Sequence, residues 1–231
     1  MDKNGTYQIV KDFINSHASE EKARFDEGLI NTSYEIKGVK TGDINDFAKE
    51  LAKQDVDFSN MPLSCHEEIM LAGMLIGYSR KKANEKVNDI EKLLPYIDNW
   101  ATCDMLIPRL KWLESQKEFF VNLLNSNRPF YIRFGIVWLM KYELKKDVIG
   151  IVNLINDNVR NTNYYVEMAL AWCYCEAFLY EYEYMVEFTQ KLARYVVRNR
   201  TLQRVCVSTR ISPEHKKEIR ALRCKLLGME I

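Results

Sequence analysis

Glycine and proline are scarce in this sequence, nine and five among 231 residues. So few turn formers argue against a fold of many short strands and leave long helices with short links. No run reaches the roughly 18 consecutive apolar residues of a membrane span. The opening stretch MDKNGTYQIVKDFINSHASEEK mixes acids and bases without an apolar core, so no secretory signal is read there. Six cysteines (Cys65, Cys103, Cys173, Cys175, Cys206, Cys224) form no Cys-x-x-Cys pair, and His17, His66 and His215 are scattered. That argues against a zinc site or a disulfide scaffold. It fits thiols packed as small hydrophobes in a reduced, cytoplasmic protein. Neither metal nor cofactor is expected, and no membrane partner.

Hydrophobic side chains make up 47% of the chain and aromatics 12%, enough for one sizeable core. We read a single domain over 1–231, with N-terminal helices to about residue 60, a repeat core over about 61–200 and basic helices over about 201–231. Net charge is only +1, but its distribution is uneven. Between Lys191 and Lys225 stand eleven bases against Glu214 and Glu218, a net of +9 that leaves −8 elsewhere. A basic end on a neutral chain suits a phosphate-binding edge; a solvated helical face touching nothing is the alternative.

The middle of the chain has a rhythm. Apolar segments with a central small residue recur as EEIMLAGMLIGY, NWATCDMLI, YIRFGIVWLM and YYVEMALAWCY. Taking Ala72, Ala101, Gly135 and Ala169 as equivalent gives spacings of 29, 34 and 34 residues. Amphipathic segments lie between them at Val87–Tyr96, Lys111–Asn125 and Asp147–Ile155, and short links at Gly38–Gly42, Asn125–Pro129 and Asn158–Asn163. One helix pair per repeat predicts an all-α fold, an α-solenoid of HEAT-like pairs with a concave inner face.

Register then singles out side chains. Counted from the equivalent small residues, Trp100 stands at −1, Asp104 at +3, Arg133 at −2 and Trp172 at +3. Trp100 and Asp104 are four apart and share one helix face. Two indoles, a carboxylate and a guanidinium are thereby expected within reach of a common surface. Trp138 also stands at +3 and is read as core.

These residues carry a resemblance. Asp98-Asn99-Trp100-Ala101-Thr102-Cys103-Asp104 resembles the Trp-x-x-x-Asp motif of the AlkD-type DNA alkylation repair family. Asn127 to Ile136 is similar to that family's arginine-bearing helix, and Tyr164 to Trp172 to its second tryptophan helix. Gly38-Val39-Lys40-Thr41 with Ala48 to Leu51 upstream, and Leu202-Gln203-Arg204 with Arg210-Ile211-Ser212 downstream, extend the likeness over roughly residues 23–226.

The resemblance implies a glycosylase of base excision repair, a hydrolase that removes cationic N3- or N7-alkylpurines from double-stranded DNA; a solenoid with its own capping helices is expected to be a monomer. A cationic purine leaves without a general acid. Asp104 would stabilise the oxocarbenium-like sugar and orient water, and Trp100 and Trp172 would offer ring faces to cations. Arg133 would hold a backbone phosphate, with Arg204, Arg210 and Lys40 as further DNA contacts. Gly38 to Asn45 lacks the two arginines and the proline of the family pattern, and Cys175 and Cys206 stand where bases are common. Phosphate contacts are therefore expected to lean on the C-terminal half. The alternative is a non-catalytic HEAT-repeat scaffold that binds distorted DNA or a protein partner.

Overall fold

The computed structural model describes residues 3–228. Among the described residues thirteen α-helices and several short 3-10 turns account for the regular structure, and there is no β-strand, only an isolated bridge between Glu35 and Cys65. No helix there is long and apolar enough to cross a membrane. The all-α expectation holds, and so does helix pairing. Contacts fall into two compact units, one running to Phe119 and the other starting at Phe120.

The first unit contains α1 (Lys3–His17), α2 (Glu20–Glu27), α3 (Thr41–Lys53), α4 (His66–Tyr78), α5 (Ala83–Leu93) and α6 (Trp100–Leu106). Its centre is α4, buried along twelve of its thirteen residues. A helix apolar on every side must be surrounded, and α3, α5 and α6 pack on it. The α3 helix is amphipathic and buries only Ile44, Ala48, Leu51 and Ala52. Glu68 anchors the start of α4 by accepting hydrogen bonds from Ser64 N (2.7 Å), Ser64 Oγ (2.7 Å) and Cys65 N (3.3 Å), the acidic half of a capping box.

The boundary between units falls inside α7 (Lys117–Leu123). The amphipathic segment expected as one stretch over Lys111–Asn125 is a 3-10 turn, Lys111–Gln116, followed by α7.

In the second unit α8 (Pro129–Tyr142), α9 (Val148–Asn158), α10 (Tyr164–Ala177), α11 (Tyr182–Lys191), α12 (Tyr195–Val207) and α13 (Pro213–Leu227) follow in order. Here α8 packs on α10, α10 on α12 and α12 on α13, while α9 and α11 fill the second layer. This serial packing of helix pairs is that of a helical-repeat solenoid. The links obey local chemistry: Pro129 opens α8 at its first turn, Asp147 caps α9 through Gly150 N (2.8 Å), and Asn163 caps α10 through Tyr165 N (2.9 Å).

Of the small residues expected at helix crossings, Ala72, Ala101 and Ala169 are buried, and Gly135 lies against neighbouring backbone. A Cβ on Gly135 would sit 2.6 Å from the Phe120 carbonyl oxygen, so only glycine admits this approach. Trp138 is core as expected, with its ring stacked on Phe120 at 3.9 Å. Five of the six cysteines are buried and all six are free.

Candidate functional site

The geometry around Trp100 is built from the N-terminal side of α6. Asn99 caps the helix by accepting from Thr102 N at 3.0 Å. Trp100 is therefore the first helical residue and stays 37% exposed, with its indole N–H donating to the Leu29 carbonyl at 3.2 Å. Asp104, half-buried, lies one turn later on the same face. The helix ends at Leu106 because Pro108 cannot donate to an α-helical ladder, and a 3-10 turn over Ile107–Arg109 follows. A helix this short leaves its first residue at the surface, which is how an indole on an apolar segment escapes burial.

The segment from Leu29 to Val39 lies strapped across the starts of α4 and α6. Asp98 accepts from Thr32 Oγ1 (2.7 Å), Ser33 N (2.7 Å) and Ser33 Oγ (2.8 Å). Burial alone would raise its carboxyl; those hydrogen bonds and one from Asn99 outweigh it and hold Asp98 below its ordinary value. Farther along, His66 N donates to Glu35 O at 3.0 Å. The buried Glu67 then accepts from the backbone N–H groups of Lys37 (3.0 Å), Gly38 (2.7 Å) and Val39 (3.3 Å). Gly38 takes a left-handed φ of 74°, where a side chain would also meet the backbone of Ser19 and Ala23. Lys40, expected as a DNA contact, is exposed at the N-cap of α3, immediately after this strap.

In the second unit Arg133 lies on α8 and is only 6% exposed, with Nη1 donating to Tyr165 O at 2.9 Å. It joins α8 to the first turn of α10. Trp172, half-buried, sits two turns farther along α10. Arg204, near the end of α12, and Arg210, just beyond it, are both exposed, and Arg210 Nη2 pairs with Glu176 near the end of α10. Cys175 and Cys206, at positions where the family pattern commonly has bases, are buried. Burial pushes the Cys175 thiol up to about 11, so it supplies no thiolate at neutral pH.

The four central residues thus divide into two pairs. Trp100 and Asp104 share α6, whereas Arg133 and Trp172 sit on adjacent helices of the second unit. The sequence reading missed two features. One is the carboxylate network of Asp98 and Glu67, whose partners are more than 25 residues away in the chain. The other is a row of aromatic side chains at helix starts: Phe130 and Tyr131, Tyr164 and Tyr165, and Tyr195. Its signal was present, since aromatics follow the predicted links at a near-repeat spacing. No group of three metal-ligating side chains occurs among the described residues.

Comparison with known proteins adds one finding. The family model described as DNA alkylation repair enzyme matches residues 10–204. Searches of curated proteins and of solved structures return no match. The family match spans most of the chain, including the helices that carry Trp100, Asp104, Arg133 and Trp172, so this chain belongs to the family of DNA alkylation repair enzymes.

Proposed function

We propose that the protein is a DNA glycosylase that hydrolyses the N-glycosidic bond of cationic N3- or N7-alkylpurines in duplex DNA. The observation that carries this reading is the Trp100–Asp104 pair on one face of α6, the indole exposed and the carboxylate half-buried, in a chain of this family. An alkylated purine is already positively charged and departs without a proton donor. As the bond stretches, positive charge develops on the deoxyribose. The Asp104 carboxylate stabilises that cation by electrostatics and orients the attacking water. The ring face of Trp100 attracts the cationic sugar, and Trp172, in the second unit, is proposed as a further ring face for cationic groups of damaged DNA. Arg204, Arg210 and Lys40 contact backbone phosphates from exposed positions. Arg133 is buried and held by the Tyr165 carbonyl, and in this reading it would take a phosphate brought close to the start of α10.

Release of alkylated base from treated duplex DNA tests the reading. Wild type releases base, and Asp104→Asn slows release by ~100-fold or more, the scale of losing one electrostatic stabiliser, while DNA affinity is kept. An Asp104→Asn enzyme as fast as wild type removes Asp104 from the mechanism. No release by wild type at saturating protein removes the glycosylase.

The burial of Arg133 favours a second reading, a scaffold that binds distorted DNA or a protein partner without catalysis. Salt-dependent DNA binding with no base release selects its DNA-binding form, and no binding even at low salt its protein-binding form.

A further inference from the structure

The second unit carries a cationic, aromatic surface at the end opposite to Arg204 and Arg210. At this end the starts of three helices lie together. Phe130 of α8 is 4.9 Å from Tyr165 of α10 between ring centroids. Arg194, just before α12, donates to Val159 O (3.0 Å) and Asn161 O (2.6 Å), just before α10. The other ends of α10 and α12 meet through Glu176 and Arg210. With fourteen residues in α10 and ~1.5 Å of rise per residue, the two ends are about 20 Å apart.

Four arginines gather at the first end: Arg128, Arg160, Arg194 and Arg198. Two of them lie over tyrosines, Arg128 at 5.1 Å from the Tyr131 ring centre and Arg198 at 5.7 Å from that of Tyr195. Arg128 Nη1 also donates to Tyr131 Oη at 2.8 Å. Stacking fixes the guanidinium plane and reduces the freedom lost when its N–H groups meet an anion. Tyr164 and Tyr195 remain 61% and 52% exposed. A cleft of about 550 Å³ opens at the same end between α9 and α11, with Arg160, Thr162, Lys191 and Arg194 in its wall and no carboxylate lining it. Nearby acids are few. Glu167 faces Arg194 at 3.7 Å, Glu187 faces Lys191 at 3.7 Å, and Asp157 is exposed near the end of α9. An excess of fixed cations interleaved with exposed tyrosines complements a polyanion, since both residue types hydrogen-bond phosphate.

We propose that this end is a second DNA-binding edge, at which Arg128, Arg160 and Arg198 take backbone phosphates of a duplex while Arg204 and Arg210 take phosphates at the opposite end. The inference rests on DNA as the substrate and is independent of catalysis. It makes DNA binding a two-edged grip across the helix layer that bears Trp172.

Salt dependence measures it directly, with undamaged duplex DNA as the probe. Each phosphate contact contributes about one unit to the slope of log affinity against log salt. The combined variant Arg128→Gln, Arg160→Gln, Arg198→Gln is expected to lower that slope by about three. The corresponding three-lysine variant, which keeps the charges, retains most of it. A glutamine variant that unfolds like wild type but binds duplex with an unchanged slope overturns the proposal. So does loss of binding to an RNA hairpin with duplex DNA binding intact, and so does a wild type that binds no DNA. Binding with the expected slopes but without base release supports this edge and counts against the glycosylase alone.

Discussion

In the first unit the irregular backbone is held by acids. Glu67 gathers the N–H groups of residues 37–39, and Asp98 gathers the backbone and side chain of Ser33 together with Thr32. In the second unit two arginines do the corresponding work on carbonyls, beside the helix caps of Asp147 and Asn163. Arg133 takes the carbonyl of Tyr165, and Arg194 takes those of Val159 and Asn161. Both devices answer one requirement, that polar backbone groups leaving a helix find a partner when water is excluded. They leave opposite electrostatics behind. The first 119 residues carry sixteen bases and twenty-one acids, a net of −5, and the remainder seventeen and eleven, a net of +6. A chain that looks neutral is therefore polarised: the more acidic unit carries the candidate carboxylate, and the more basic one the arginine edges.

The contrast can be broken most severely at Glu67. Glu67→Ala strands several buried donors at once and is expected to cost about 3 kcal/mol, read as a lower urea midpoint. Faster amide exchange should appear in residues 37–39 and α3, with α8 to α12 unaffected. Equal acceleration throughout would show that the two units open together.

Arg194→Ala is the mirror experiment. It frees the carbonyls of Val159 and Asn161 and should cost about 2 kcal/mol, with exchange rising along the α9–α10 link. Exchange confined instead to α3 and α4 would contradict the assignment.

Gly135→Ala tests packing in the second unit without touching charge. Its added methyl meets the Phe120 carbonyl oxygen and the side chains of Leu123 and Leu124, an overpacking cost of about 1–2 kcal/mol. A thermal midpoint equal to wild type would mean that α7 and α8 separate freely.

Asp98→Asn should have the smallest effect, about 1 kcal/mol at neutral pH, and it carries a sign. The folded carboxyl lies below its ordinary value of 3.8, so its contribution is complete above that value and disappears as pH falls through the folded one. The gap between wild type and variant in urea unfolding should close on acidification. A gap that widens toward low pH would reverse the assignment.

Much of this was legible in the residues. The apolar helices, the links at Asn125–Pro129 and Asn158–Asn163 and the core role of Trp138 follow from periodicity and turn chemistry, which act over a few residues. The pairing of Trp100 with Asp104 followed from helical spacing alone. The environment of Arg133 did not, because register says which face a residue occupies but not that Tyr165 lies above it. The strap at residues 29–39 was equally hidden, since Asp98 and Glu67 reach it across long stretches of chain.

The sequence by itself determined the all-helical class, the repeat of helix pairs and a family likeness borne out by the match over residues 10–204. Local forces sufficed for that: scarcity of turn formers, small residues at crossings and apolar faces at helical spacing. Only the tertiary structure decided which polar side chains are tied inward and which reach solvent. Arg133 and Arg128 look alike in the chain, yet one is buried against a carbonyl and the other lies exposed on a tyrosine. That division comes from packing between helices distant in sequence, where each buried polar group must find its partner.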